Sequence, residues 1–311
     1  MSTHLRTGAQ EHVRAAVEGG PSGPRRRRPT GGPKGSGADR AVGAASQGVL
    51  VLWTVLVIAP LLWTLMSSFK TTQEIFASPF SLPTSLHLEN YVNAWTLAGI
   101  GRYFANSVVV VTCALVLTMV LGSMSAYVLA RFPFPGRGAV RTLVVAGLTF
   151  PVFLAVVPLF FILQQAGLLN TLPGLVAAYT AYAYPFTVFF LVSFFEDLPH
   201  EVAEAASIDG AGEWRTFFQV MLPMARPGMA AVAILNFVGL WNQFLLPVVL
   251  NSDQDSYVLT QGMASFASQA GYAVDFGALF AGAVTTIVPV LVVYLVFQRR
   301  LQGSVSAGSV K

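Results

Sequence analysis

Charge is what this chain has least of. Only 10% of its 311 residues are Asp, Glu, Lys or Arg, and 54% are hydrophobic, against about 25% charged in an ordinary soluble domain. That deficit argues against a water-soluble globular protein and points to a chain embedded in lipid. Cysteine is scarcer still. Cys113 stands alone inside an apolar run, so an internal disulfide is excluded and the redox compartment is not encoded. The four histidines, His4, His12, His87 and His200, are scattered without metal-ligand spacing. A G-x-x-x-x-G-K-[ST] phosphate loop is missing, because "GGPKGSG" (31–37) does not have its order. No Ser/His/Asp, Cys/His or paired-carboxylate constellation stands out, so the chain is expected to bind no cofactor or metal of its own.

What is present is long apolar runs. A spanning helix needs about 20 mainly apolar residues. Six runs qualify, near 47–67, 107–130, 142–164, 175–195, 228–250 and 276–297, and none has a charged residue or histidine inside it. Pro60, Pro151, Pro158, Pro185, Pro247 and Pro289 lie within these runs and are expected to mark kinks, which packed membrane helices tolerate. The first 46 residues differ. They carry Arg25 to Arg28 amid Gly, Pro and Ser, a composition unable to bury enough surface to offset ordering. They read as a disordered basic cytoplasmic tail rather than a cleaved signal peptide. With the N-terminus inside, 16 of the 18 basic residues fall in inside segments and only Lys70 and Arg102 fall outside. The net charge of +4 is thus a topology signal. Both termini are expected on the cytoplasmic side.

Between the fourth and fifth runs lies "EAASIDGAGEWRTFFQVMLP" (204–223), dense in charge for this chain. Residues 197–226 read as two short helices around a turn. Asp197 is expected to cap the first, with Pro199 in its first turn. Leu198, Val202 and Ala206 form an apolar stripe, and Glu201 and Glu204 lie elsewhere. Gly210 suits a turn with positive φ. Trp214, Phe217, Phe218, Met221 and Leu222 then fall on one face of an amphipathic helix, which Pro223 ends, and Pro227 starts the next span. Spacing alone leaves two readings. One is an interfacial helix on the membrane, and the other is a surface for close docking into a protein cleft.

The segment resembles the EAA loop of bacterial ABC importer permeases. In that family Glu-Ala-Ala precedes a Gly and then an Ile-x-Leu-Pro element. Here these are Glu204-Ala205-Ala206, Gly210 and Val220-Met221-Leu222-Pro223, with Val for Ile the single departure. "SSFK" (67–70), "FANS" (104–107), "ARFPFPGR" (130–137), "WNQFLLP" (241–247) and the ending "SAGSVK" (306–311) look like carbohydrate importer permeases of the maltose type. They are closest to the partner corresponding to the maltose system's G subunit. The resemblance extends over nearly all of 47–311.

The resemblance implies an all-α membrane protein of six transmembrane helices with the MetI-like ABC importer permease fold. It implies a coupling helix docked in a groove of a cytoplasmic ATPase. Glu204, Ala205, Ala206, Asp209, Gly210, Leu222 and Pro223 would form the ATPase-coupling site. Glu204 would pair with a basic residue of the ATPase or tie the loop together. ATP and Mg would sit on the partner ATPase. The implied partners are a second ABC permease subunit, an ATPase dimer, an extracytoplasmic sugar-binding protein and membrane lipid, with no nucleic acid. The implied location is the bacterial cell membrane.

Uncharged spans argue against an ion-coupled carrier built on acidic relays and fit a neutral, hydroxyl-rich solute. Tyr184, Trp241, Asn242, Gln243 and Phe244 are the substrate-path candidates, with Tyr179, Tyr182, Asn106 and Asn236 behind them. The competing reading of each is packing, interface anchoring or a hydrogen bond between helices. Asp253, Asp255 and Asp275, in a loop near 251–275, meet either the binding protein or solvent. The rival readings are an ABC permease for another solute such as glycerol phosphate or an amino sugar, an ion-coupled carrier, and a membrane scaffold.

Overall fold

The computed structural model describes residues 37–268 and 275–308, with side chains described from residue 43 to 298 in those ranges. The expected basic tail up to residue 36 and the last three residues of the ending "SAGSVK" (309–311) lie outside them. The chain divides into two units at Ile58/Ala59. The described part of the first is helix, belonging to α1 (Gly37–Ser67), which starts before the expected boundary at residue 46.

Among the described residues of the second unit, every regular element is a helix. After the end of α1 come α2 (Thr72–Ala77), α3 (Glu89–Thr96) and α4 (Ile100–Arg131). Then follow α5 (Arg137–Thr149), α6 (Val152–Gln165) and α7 (Leu172–Glu196). The polar loop holds α8 (His200–Ile208) and α9 (Glu213–Met224). Last come α10 (Arg226–Trp241), α11 (Leu245–Leu250), α12 (Leu259–Ser268) and α13 (Phe276–Gly308).

Among the described residues, four helices are long and apolar enough to cross a membrane: Gly43–Ser67, Ile100–Arg131, Leu172–Glu196 and Phe276–Gln298. The number rises to six if two bent pairs each count as one span. The pair α5–α6 bends by 106° at Phe150-Pro151, and α9–α10 bends by 75° at Ala225. Proline explains the first break, because the residue before it is driven to extended backbone; Phe150 has ψ 122. Pro60, Pro158, Pro185 and Pro289 stay inside their helices. The expected fifth run, 228–250, is not continuous. It stops at Trp241 and restarts as α11, because the Gln243 side-chain oxygen accepts from the backbone N–H of Phe244 (3.1 Å) and Leu245 (3.2 Å). That side chain does for α11 what a cap does at any helix start.

The largest helix pairing is α4 against α7. Gly122 permits it: a Cβ there would lie 2.6 Å from Thr187 Cγ2. Small residues let membrane helices approach where lipid offers no hydrophobic drive for association. The buried Asn236 Nδ2 donates to Thr187 Oγ1 (2.7 Å) and ties α10 into the same contact.

Two buried clusters organise the unit. One gathers Ile100, Tyr103, Val110, Tyr179, Trp241, Leu246, Leu250 and Leu259. The other gathers Tyr127, Leu191, Phe195, Phe217, Met221 and Val232, with Leu198, Ala203 and Leu222 packed against it. The second cluster is the seat of the 197–226 loop.

Candidate functional site: the 197–226 loop

The first loop helix starts later than expected. Asp197 is the C-terminal cap residue of α7, and Pro199, not Asp197, occupies the N-cap of α8. Extended backbone at Pro199 (ψ 136) turns the chain into α8 without a side-chain cap. Gly210 ends the helix at φ +78, left-handed backbone that costs an L side chain about 1–2 kcal/mol. Its N–H donates to the Ser207 carbonyl (3.1 Å), and Ala211 N–H donates to the Ala206 carbonyl (2.9 Å). Carbonyls at the helix end are thereby satisfied.

The second helix departs further from the expected pattern. Thr216–Met221 is a π-helical segment between short α-helical turns. The wider turn rotates the expected face apart. Phe217 and Met221 are buried at 4% and 0% exposure, while Trp214 and Phe218 remain 66% and 48% exposed. Those two rings stack on each other at 6.0 Å and 14°. Pro223 does not end the helix; it sits in the first turn of the closing segment Leu222–Met224. Pro227 does stand at the start of α10. π-Bulges recur at functional positions, and this one lies inside the loop.

Burial divides α8 into two faces. Ala203 and the preceding Leu198 pack onto the second cluster, and Val202 and Ala206 are half-buried. Glu201, Glu204, Ala205, Ile208, Asp209 and Gly210 are exposed. Ile208 is 85% exposed, an apolar residue that the sequence pattern did not single out. The Glu204 carboxylate has no hydrogen bond or ion pair among the described residues, so it does not tie the loop together here. Beneath the loop, Phe217 lies 5.0 Å from Tyr127 of α4 and 6.4 Å from Phe195 of α7.

The five substrate-path candidates do not converge. Trp241 is 4% exposed in the first cluster. It stacks on Phe237, meets Phe104 edge-on, both at 5.7 Å, and donates from Nε1 to the Thr286 carbonyl. Asn242 is exposed and donates to Val238 of its own helix (2.8 Å). Gln243 is engaged in capping α11, and Phe244 is 48% exposed beside it. Tyr184 belongs with the second cluster, where its hydroxyl donates to Ser125 Oγ (2.6 Å) and its ring lines a groove of about 640 Å³ with Val128, Leu143 and Pro185. Tyr179 is buried in the first cluster, while Asn236 lines a cavity of about 230 Å³ with Tyr182.

Asn106 and Ser107 of "FANS" act as a latch. Asn106 Nδ2 donates to the carbonyls of Asp255 and Tyr257, both at 2.9 Å, and the buried Ser107 hydroxyl accepts from Leu259 N–H (2.7 Å). The three loop aspartates are likewise engaged. Asp255 pairs with Arg102, Asp253 accepts from Asp255 N–H and Ser256 Oγ, and Asp275 caps α13 through Ala278 N–H. The end of α1 is held similarly. Lys70, 1% exposed, donates to the carbonyls of Ser78 and Pro79 and to Ser81 Oγ. Nearby, bonds from the Thr84 hydroxyl and the Thr71 backbone hold the Glu74 carboxyl below its usual range.

Residues 118–306 match the family described as "Binding-protein-dependent transport system inner membrane component". The diacetylchitobiose uptake system permease protein NgcG of Streptomyces coelicolor is 67% identical over 272 residues, covering 88% of this chain and 90% of that protein. The trehalose transport system permease protein SugB of Mycobacterium tuberculosis is 33% identical, covering 88% of this chain and 99% of its own. Among solved structures, a chain of a bacterial ABC transporter that imports the acidic polysaccharide alginate superposes with a TM-score of 0.77. It covers 86% of this chain and 99% of that one at 20% identity, a likeness of fold.

Proposed function

Since the chain belongs to the family of binding-protein-dependent transport system inner membrane components and is a sugar ABC importer permease, we propose that its 197–226 loop couples sugar passage to ATP hydrolysis by a separate ATPase. The observation that carries this is the two-faced α8. One face is seated on the second cluster. The other presents Glu204, Ala205, Ile208 and Asp209 to solvent, with Glu204 unpaired among the described residues. A small-residue surface flanked by the Glu204 and Asp209 carboxylates and one exposed isoleucine fits a groove with a basic residue and an apolar floor. Gly210 fixes the turn, and Leu222 and Pro223 belong to the helical segment that carries the loop back to α10.

In this reading six spans cross the bacterial cell membrane with both termini cytoplasmic; the bent pair α5–α6 serves as the third span and α10 with α11 as the fifth, so that α9 stays with the cytoplasmic loop. The tail, residues 1–46, stays on the cytoplasmic side. A second permease completes the pathway, two ATPases close beneath it, and an extracytoplasmic binding protein delivers the sugar. ATP and Mg are held by the ATPases. Closure of the ATPases moves the seated loop and rocks the helices above it, a rigid-body mode of switching. Within this subunit the exposed Asn242 and Phe244 remain the sugar-path residues, while Trp241 packs. The substrate we assign is an N-acetylated amino-sugar disaccharide of the diacetylchitobiose kind. Its lack of net charge suits spans without charged interiors.

The test is uptake of labelled diacetylchitobiose, maltose and trehalose into vesicles carrying the assembled importer, with Glu204→Ala and Gly210→Pro alongside wild type. Diacetylchitobiose uptake should require ATP and fall by more than about tenfold in Gly210→Pro, which adds backbone strain and removes the N–H given to Ser207. Normal uptake by both variants, or uptake driven by an ion gradient instead of ATP, rejects the coupling assignment. A preference for maltose or trehalose rejects the substrate.

A further inference from the structure

The arginines in and after "ARFPFPGR" have no part in the mechanism above, yet they meet the loop at its base. α4 ends at Arg131, and Gly136, at φ +86, turns the chain into α5. Arg141 Nη2 donates to the Leu129 carbonyl (3.0 Å) and pairs with Glu196, the last residue of α7. Arg137 Nη2 donates to the Ala130 carbonyl (3.4 Å) and lies 3.5 Å from the same carboxylate. These two side chains fasten the C-terminal ends of α4 and α7 to each other, where cations complement the helix dipole.

Arg131 does something different. Its Nη2 donates to the carbonyl of Leu198, in the linker between α7 and α8. The acceptor is backbone, so the bond follows the linker itself and not a mobile side chain. One turn back on α4, Tyr127 packs on Phe217 at 5.0 Å. The loop therefore grips α4 at two points, one on each side of α8. The polar grip is Arg131–Leu198, and the aromatic grip is Tyr127–Phe217. α4 in turn runs along α7 through the Gly122–Thr187 contact.

We infer that Arg131 is a positioning residue that carries displacement of the coupling loop into α4, so that α4 and α8 move as one body. The inference builds on the coupling role of the loop proposed above. A guanidinium that merely capped α4 would affect how much subunit folds. A guanidinium that transmits the stroke affects how much sugar moves for each ATP consumed, because coupling runs through elements with two discrete arrangements.

ATP hydrolysis and diacetylchitobiose uptake are measured together on the assembled importer in vesicles, for wild type, Arg131→Gln, Arg131→Lys and Arg141→Gln. In Arg131→Gln, hydrolysis should persist while uptake per ATP falls by about tenfold, within the usual range for coupling between sites. Arg131→Lys, which keeps a donor, should recover most of the ratio. Arg141→Gln should lower the yield of complex and leave the ratio intact. An unchanged ratio in Arg131→Gln, or hydrolysis and uptake falling in parallel, overturns the inference. Should Arg131→Gln fail to assemble, hydrogen–deuterium exchange on the wild-type importer decides. Protection of 126–131 and 196–208 must change together on ATP binding, and a change confined to 196–208 overturns it. If Glu204→Ala and Gly210→Pro also transport normally, the coupling assignment itself has failed; if they abolish uptake while Arg131→Gln leaves uptake per ATP unchanged, only the role of Arg131 has.

Discussion

Two polar loops of this protein look alike in sequence and differ in structure. The 197–226 loop and the 251–275 loop are both islands of charge between apolar runs. In the described part of the second, charge is spent internally. Asp255 pairs with Arg102, Asp253 accepts from its own turn, and Asn106 and Ser107 reach over from α4 to hold 255–259. In the first, Glu204 is unpaired among the described residues and Ile208 is 85% exposed. Partner satisfaction, rather than polarity, separates a loop that holds itself from a loop that waits for another surface. A self-latched loop should lose stability when mutated, and a docking loop should lose function.

The sharpest way to break that contrast is Ile208→Asp. The side chain it removes is almost wholly exposed, so the melting temperature of the purified importer should stay where it is. Buried apolar anchors dominate interfaces, and losing one costs about 2 kcal/mol or more. Uptake should therefore fall by tenfold or more, and the ATPase should no longer co-purify at its wild-type ratio. A lowered melting temperature with the ATPase still bound would place Ile208 in the fold and remove the distinction.

Ser107→Ala probes the other side. The substitution leaves Leu259 N–H buried without its acceptor, a cost of about 1–3 kcal/mol. The expected result is a clear fall in melting temperature and an uptake rate per folded complex within about twofold of wild type, since the loss is structural. Preserved stability with uptake abolished would move "FANS" from latch to sugar path.

How much of this was legible beforehand follows the kind of signal involved. Six apolar runs and the order Glu204, Ala205, Ala206, Gly210 are local patterns, and helix identity and the positive φ at Gly210 followed from them. Helix breaks set by single side chains were not local in that sense. The oxygen of Gln243 interrupts the expected fifth span by capping α11, and nothing in hydropathy encodes that bond. The π segment at Thr216–Met221 defeated a 3.6-residue period, which is why Trp214 and Phe218 part from Phe217 and Met221. Ile208 was invisible for the opposite reason. An isoleucine beside an aspartate reads as an ordinary buried position until its exposure is seen. Asp197 lost its cap role because Pro199 already supplies the extended backbone that starts α8.

The smallest expected effect concerns Trp241. Its indole was a sugar-path candidate because aromatic faces and N–H donors suit hydroxyl-rich solutes. The structure occupies both features internally. One face stacks on Phe237, Phe104 meets the ring edge-on, and Nε1 donates to Thr286. Trp241→Phe keeps one aromatic ring among these neighbours and removes the other half of the indole and one hydrogen bond, the bond alone worth about 0.5–1.5 kcal/mol. It should lower the melting temperature slightly and leave the KM for sugar uptake unchanged. A sugar platform makes the opposite demand: loss of the donor and of half the ring raises KM with little change in stability. Unchanged KM in Trp241→Phe would leave the exposed Asn242 and Phe244 as the part of "WNQF" able to meet a passing sugar, and would set the break between α10 and α11, rather than the tryptophan before it, as the feature that shapes the path.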